Sequence, residues 1–169
     1  IAQTLDAVLR QSYKNLEIII LNDGSQDNTD HVIREKLPAL ESKFSNIIYI
    51  DKKNEGVIKT LNQGIDRSKG EFIYFLSSDD MPFDYSIEKL LGFLQENPEY
   101  GLAVGDNLFI DDNDKIMYWD INHQNEYSKD KASYVSFGHY LQTTRQDIDF
   151  LSQDFGSYAS LLKGNYIPN

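Results

Sequence analysis

The chain has no cysteine. Disulfides, thiolate nucleophiles and Cys-based zinc sites are therefore excluded, and the absence of Cys fits a reducing compartment. No Asn-x-Ser/Thr sequon occurs, so nothing points to a glycosylated surface. Long hydrophobic runs are missing too. The apolar run at residues 72–76 is far too short to span a bilayer, so no transmembrane segment is expected. Neither Gly-x-Gly-x-x-Gly nor Gly-x4-Gly-Lys-Ser/Thr is present, which removes the main support for the common dinucleotide and P-loop readings. Histidine is scarce. His31, His123 and His139 lack metal-ligand spacing, and no Ser/His/Asp order can be built from them. Positive charge is also short: 16 Lys and Arg stand against 27 Asp and Glu, a formal net charge of -11. That balance opposes phosphate-backbone contacts and argues against nucleic acid as a partner. It still allows one small anionic ligand bridged by a divalent cation.

What is present describes a soluble α/β protein. The 169 residues are 40% hydrophobic and 25% charged, enough for one domain with a real core. Ile1, Leu5, Val8 and Leu9 fall at helical spacing. Residues 16–21 read as a buried, β-branched strand, broken by Asn22-Asp23-Gly24-Ser25. Asp27 or Asn28 can cap a helix running to about Phe44, which Pro38 should kink or split. Residues 47–50 form a second strand. Val57, Leu61 and Ile65 mark a helical stripe ending near Lys69-Gly70. A third strand is expected at 71–76, a helix over Ile87, Leu90, Leu91 and Leu94, and a fourth strand from Leu102. Strand and helix alternate as in a parallel sheet with right-handed crossovers. After Gly105 the pattern changes to a hairpin around Asp112-Asn113-Asp114. A last helix is expected over about 147–162.

Two carboxylate motifs sit at the ends of predicted strands, where open α/β sheets bind ligands. Asp23, before a Gly that permits positive φ, can accept a hydrogen bond from a ring N–H of a base. It serves equally as the capping acid of an ordinary strand-to-helix turn. Asp79-Asp80 follows the 71–76 run. Adjacent carboxylates suit Mg2+ or Mn2+, which bind one or two acids plus substrate phosphates. They also suit a helix N-terminus opening at Met81-Pro82. Asp111-Asp112-Asn113-Asp114 fails as a calcium loop, because Lys115 and Ile116 stand where a ligand and a Gly are needed.

Three segments together carry a resemblance: residues 11–29, with Gln-Ser-Tyr-Lys-Asn and Asn-Asp-Gly-Ser; Asn54-Glu55-Gly56 through Asn62-Gln63-Gly64; and residues 69–80, ending Ser77-Ser78-Asp79-Asp80. In order and spacing over roughly residues 1–115 the chain resembles a family 2 glycosyltransferase of the GT-A fold. The resemblance implies a Rossmann-like, mostly parallel sheet with helices on both faces, plus the hairpin and C-terminal helix. It implies an inverting, metal-dependent transfer from a nucleotide-sugar, a UDP-sugar above all, to a saccharide or lipid-linked acceptor. Asp23, Gly24, Asn54, Gly56, Ser78 and Asp79 map to donor binding, and Asp79 with Asp80 to Mn2+ or Mg2+. Ser77 stands where the family's motif usually has its first acid. Asp106, in Gly105-Asp106-Asn107, matches a recurrent family acid. The catalytic base is expected beyond Asn169, and Gln153-Asp154 precedes the segment it should follow. Residues 1–120 are thus expected to form the nucleotide-sugar half, without its first strand. Residues 121–169 then lead, within the same domain, into a truncated acceptor side. Such enzymes assemble polysaccharide at the cytoplasmic face of the membrane. The alternative is a non-catalytic nucleotide-binding or interaction module.

Overall fold

A computed structural model describes residues 1–145. The expected helix over 147–162, and Gln153-Asp154 within it, lie outside the described residues. The chain divides into two compact units, Ile1–Glu99 and a second from Tyr100 onward. The division falls close to the change of pattern after Gly105.

In the first unit α1 (Ala2–Arg10) leads into β1 (Glu17–Asp23), α2 (Thr29–Lys43), β2 (Asn46–Lys52), α3 (Val57–Arg67) and α4 (Ser86–Glu96). β1 and β2 pair in parallel, from Glu17 opposite Asn46 to Asp23 opposite Lys52. Side chains alternate along a strand. Ile18 and Ile20 join Leu5 and Val8 of α1, and Ile33, Leu40 and Phe44 from α2 and its end, in one core. Leu21 points the other way and meets Gly64 of α3, where an added Cβ would lie 3.2 Å from its Cδ1. Helices therefore cover both faces. Lys43 closes the end of α1 by donating to the Leu9 and Gln11 carbonyls.

Pro38 neither splits α2 nor ends it. Ile33 and Leu40, on either side of it, are fully buried, and their packing outweighs one missing backbone hydrogen bond. α4 begins at Ser86, with Tyr85 as its N-cap, and not at Met81-Pro82.

The expected strands at 71–76 and from Leu102 are not formed. Phe72, Ile73, Tyr74 and Phe75 are between 42% and 58% exposed, and Leu102 and Val104 are exposed as well. An apolar run becomes a strand only beside a neighbour that takes its backbone donors and acceptors. Among the described residues the parallel sheet has β1 and β2 alone. The apolar stripe of α3 is likewise exposed, from 43% at Ile65 to 73% at Ile58.

The second unit holds the expected hairpin, β3 (Phe109–Ile110) against β4 (Ile116–Trp119), with β5 (Asn125–Glu126) on the far edge of β4. A 3-10 turn (Lys129–Lys131) and α5 (Phe137–Thr144) follow. Trp119 stacks on Phe109 and meets Tyr140 edge-on.

Candidate donor site at the carboxyl ends of the parallel strands

β1 delivers Asn22 and Asp23 to the end of the sheet. Asn22 is buried; its amide donates to Asp51 Oδ1 at 2.9 Å and its oxygen accepts the Ser25 N–H at 3.1 Å, which shapes the 22–25 turn. Gly24 then runs at φ +82°, and a Cβ there would lie 2.7 Å from the Asn54 backbone nitrogen. Only glycine permits that approach.

The Asp23 carboxylate is the hub. Its Oδ1 accepts from Lys52 Nζ at 2.5 Å and from the Glu55 N–H at 2.9 Å. Its Oδ2 accepts the Gly56 N–H at 3.0 Å. Asn54 Oδ1 also accepts the Gly56 N–H, at 3.2 Å, and Gly56 sits at φ +90° as the N-cap of α3. The Lys52 ammonium and then the Glu55 N–H hold the Asp23 carboxyl down at about 2. Asp23, Gly24, Asn54 and Gly56 therefore form one cluster.

Ser78, Asp79 and Asp80 form a second group, hung on α1. The buried Thr4 hydroxyl donates to the Ser78 carbonyl at 2.7 Å. Gln11, also buried, donates to the Phe83 carbonyl at 2.8 Å and accepts the Ile87 N–H at 3.4 Å. Arg10 pairs with Asp84 at 3.0 Å. Because α4 starts at Ser86, the acid pair does not open that helix, but the Ser78 carbonyl beside it is bonded to Thr4 in the first turn of α1, where a helix dipole also favours acids. Burial first, and then the charge of Asp79, push the Asp80 carboxyl above its ordinary range, while the Ser77 hydroxyl opposes the shift. A hard divalent cation between the two carboxylates would remove that repulsion, so the pair fits Mg2+ or Mn2+ completed by oxygens of a substrate. Among the described residues no third His, Asp or Glu joins them as a metal-binding group.

The other acids hold structure together. Asp106 accepts from Ser136 Oγ, from the Gly138 N–H and from its neighbour Asn107, tying it to the start of α5. Asp111 accepts the Asn113 and Lys115 N–H groups inside the hairpin turn. His31 pairs with Glu35 on the exposed face of α2, and His123 lies within ring contact of Trp119, Tyr134 and Tyr140. A shallow concavity of about 410 Å³ lies at the amino ends of β1 and β2, lined by Glu17, Asn46 and Lys69 among others. Ligands of parallel sheets bind at the opposite end, so it is no rival to the Asp23 cluster.

Sequence reasoning missed Lys52, Thr4 and Gln11. The two α1 residues carried a signal: they are polar and lie on the helix face that also carries Leu5 and Val8. Lys52 carried none, because its role depends on strand register.

The family described as Glycosyl transferase family 2 matches residues 1–159. An uncharacterized glycosyltransferase of Rickettsia typhi is 36% identical over 137 residues, 80% of this chain and 40% of the relative. Another, from Rickettsia bellii, is 39% identical over 95 residues, 56% of this chain and 13% of the relative. Glycosyltransferase GlyA of Streptococcus pneumoniae is 29% identical over 125 residues, 74% of this chain and 17% of the relative. The chain thus spans less than half the length of each of these relatives.

The chain belongs to glycosyltransferase family 2, and its mixed α/β architecture with a parallel sheet is consistent with the GT-A fold of that family.

Proposed function

We propose that this family 2 chain carries the donor site of a glycosyltransferase, and that the whole protein moves a sugar from a nucleoside diphosphate, uridine diphosphate by preference, to a saccharide or lipid-linked acceptor. One observation carries this reading. At the carboxyl ends of two adjacent parallel strands, Asp23 is locked against the Asn54–Gly56 turn by two backbone hydrogen bonds and held by the Lys52 ion pair. In this reading the Asp23 carboxylate and the turn would meet the edge of a base. Asp79 and Asp80 would hold the Mn2+ or Mg2+ of the family, and Ser78 lies beside them. That cation, when bound, neutralises charge developing on the leaving diphosphate.

The chain's own residues bind and orient. Thr4 and Gln11 fix the acid loop to α1, so that the carboxylates keep one geometry as a donor enters. The expected displacement inverts the anomeric carbon: the acceptor oxygen forms the new C–O bond as the bond to the diphosphate breaks, and a carboxylate base takes the acceptor proton. No described residue is given that last role. Among the described residues no helix is long and apolar enough to cross a membrane, and work at the cytoplasmic face, in polysaccharide assembly, is part of the proposal.

The test is thermal. UDP with Mn2+ at a hundredfold excess over Kd should stabilise the chain by about 2.7 kcal/mol. That is a rise in Tm of roughly 5–10 °C for this size, and Asp79→Ala should abolish it. A variant that responds like the parent places the site elsewhere. Ser77, standing where the family's motif usually has its first acid, favours, as a second reading, a nucleotide-binding module without transfer. Release or transfer of sugar by the full-length protein would eliminate it.

A further inference from the structure

Asp23 and Lys52 are opposite one another at the last register pair of β1 and β2. The Lys52 ammonium donates to Asp23 Oδ1 at 2.5 Å and to Glu55 Oε2 at 3.1 Å, and its side chain is only 12% exposed. One cation therefore ties the end of β1, at Asp23, to Glu55 within the turn from residue 52 to residue 56. Asp23 meanwhile accepts the N–H groups of Glu55 and Gly56. Take the ammonium away, and the carboxylates of Asp23 and Glu55 converge on an empty centre. Like charges so placed repel, and the repulsion falls on the backbone that makes the turn.

We propose that Lys52 is a positioning residue of the donor site, holding Asp23 and Glu55 together across the 52–56 turn and so fixing the backbone of Asn54 and Gly56 where it meets the nucleotide base. Its part in nucleotide binding rests on the donor-site reading above; its hold on the turn does not. The neutral Lys52→Met keeps the apolar stem and removes the charge. Lys52→Arg keeps the charge on a different head group.

Two readouts on the 169-residue chain separate the claims. Amide hydrogen exchange at Glu55 and Gly56 is followed by NMR without ligand, with the amides of the β1–β2 ladder as internal reference. UDP affinity is measured with Mn2+ present. For Lys52→Met, exchange at Glu55 and Gly56 should accelerate about tenfold relative to the ladder, and UDP should bind about tenfold more weakly, as expected for loss of a charged hydrogen-bond donor. Lys52→Arg should restore both to within about threefold of the parent. Unchanged exchange at Glu55 and Gly56 in Lys52→Met overturns the proposal. If Lys52→Met loses ladder protection as well, Lys52→Arg decides: failure to restore the two turn amides overturns it. A parent chain that binds no UDP sinks the donor-site reading, and the exchange comparison then still decides whether Lys52 holds the turn.

Discussion

Residues 16–21 and 72–76 are both short apolar runs that lead into small polar residues and an acid, yet only the first is held in a ladder. β1 pairs with β2 along seven residues, and its end is closed by Lys52 and two backbone amides on Asp23. The 72–76 run forms no strand, and four of its five side chains are exposed. Only Leu76 reaches the core. The loop carrying the two acids that follow is fixed through the Ser78 carbonyl and the Phe83 region. Composition supplies the tendency to extend, and the neighbour supplies the strand. The same contrast runs through the charges: Asp23 is stabilised as an anion, whereas Asp80 is penalised as one.

The largest effect that tests this contrast is in packing. Phe44→Ala, at a residue 2% exposed behind β1, should cost about 3–5 kcal/mol in urea unfolding. Phe75→Ala, 58% exposed, should cost no more than about 0.5 kcal/mol. Equal costs would mean that the second run is packed like the first.

A smaller effect lies in acid. The Asp23 carboxyl is held at about 2 against an ordinary 3.8, so the folded state binds its proton less readily than the unfolded chain. Its contribution to stability is therefore full above pH 3.8 and is lost as pH falls through about 2. Urea midpoints should drop across that window in the parent. The drop should shrink in Lys52→Met, which removes the largest cause of the shift. A parent curve that is flat between those values contradicts the ion pair.

The smallest effect has the opposite sign. Asp80 is raised in the folded state, so its contribution is present below pH 3.8 and lost as pH rises through the folded value. At neutral pH Asp80→Asn should accordingly raise Tm slightly while weakening the response to Mn2+. A lower Tm in the variant would show that Asp80 is already satisfied.

Much of this was legible before any coordinates. β1, β2 and the three helices around them announce themselves by periodicity, and their partners lie close by in sequence. The turn at Asp23-Gly24 was legible because positive φ and close approach demand glycine. The strands expected at 71–76 and from Leu102 were misread because a sequence shows the tendency of a run and not the presence of its neighbour. α5 went unread, although Ser136 caps it through the His139 N–H, a signal of Ser three residues before a bonded amide. Lys52 was invisible for another reason. Twenty-nine residues separate it from Asp23, and only the register of two parallel strands sets them face to face.

The most direct measurement of the central claim is two-dimensional NMR of the 15N-labelled chain with UDP, titrated with Mn2+ in place of Mg2+. Paramagnetic broadening is expected at the amides of Ser78, Asp79 and Asp80, together with ligand-induced shifts at Glu55 and Gly56 in the same complex. Broadening on the Asp111–Asp114 turn instead, or shifts at Gly56 with residues 78–80 untouched, would contradict a single donor site built from both groups.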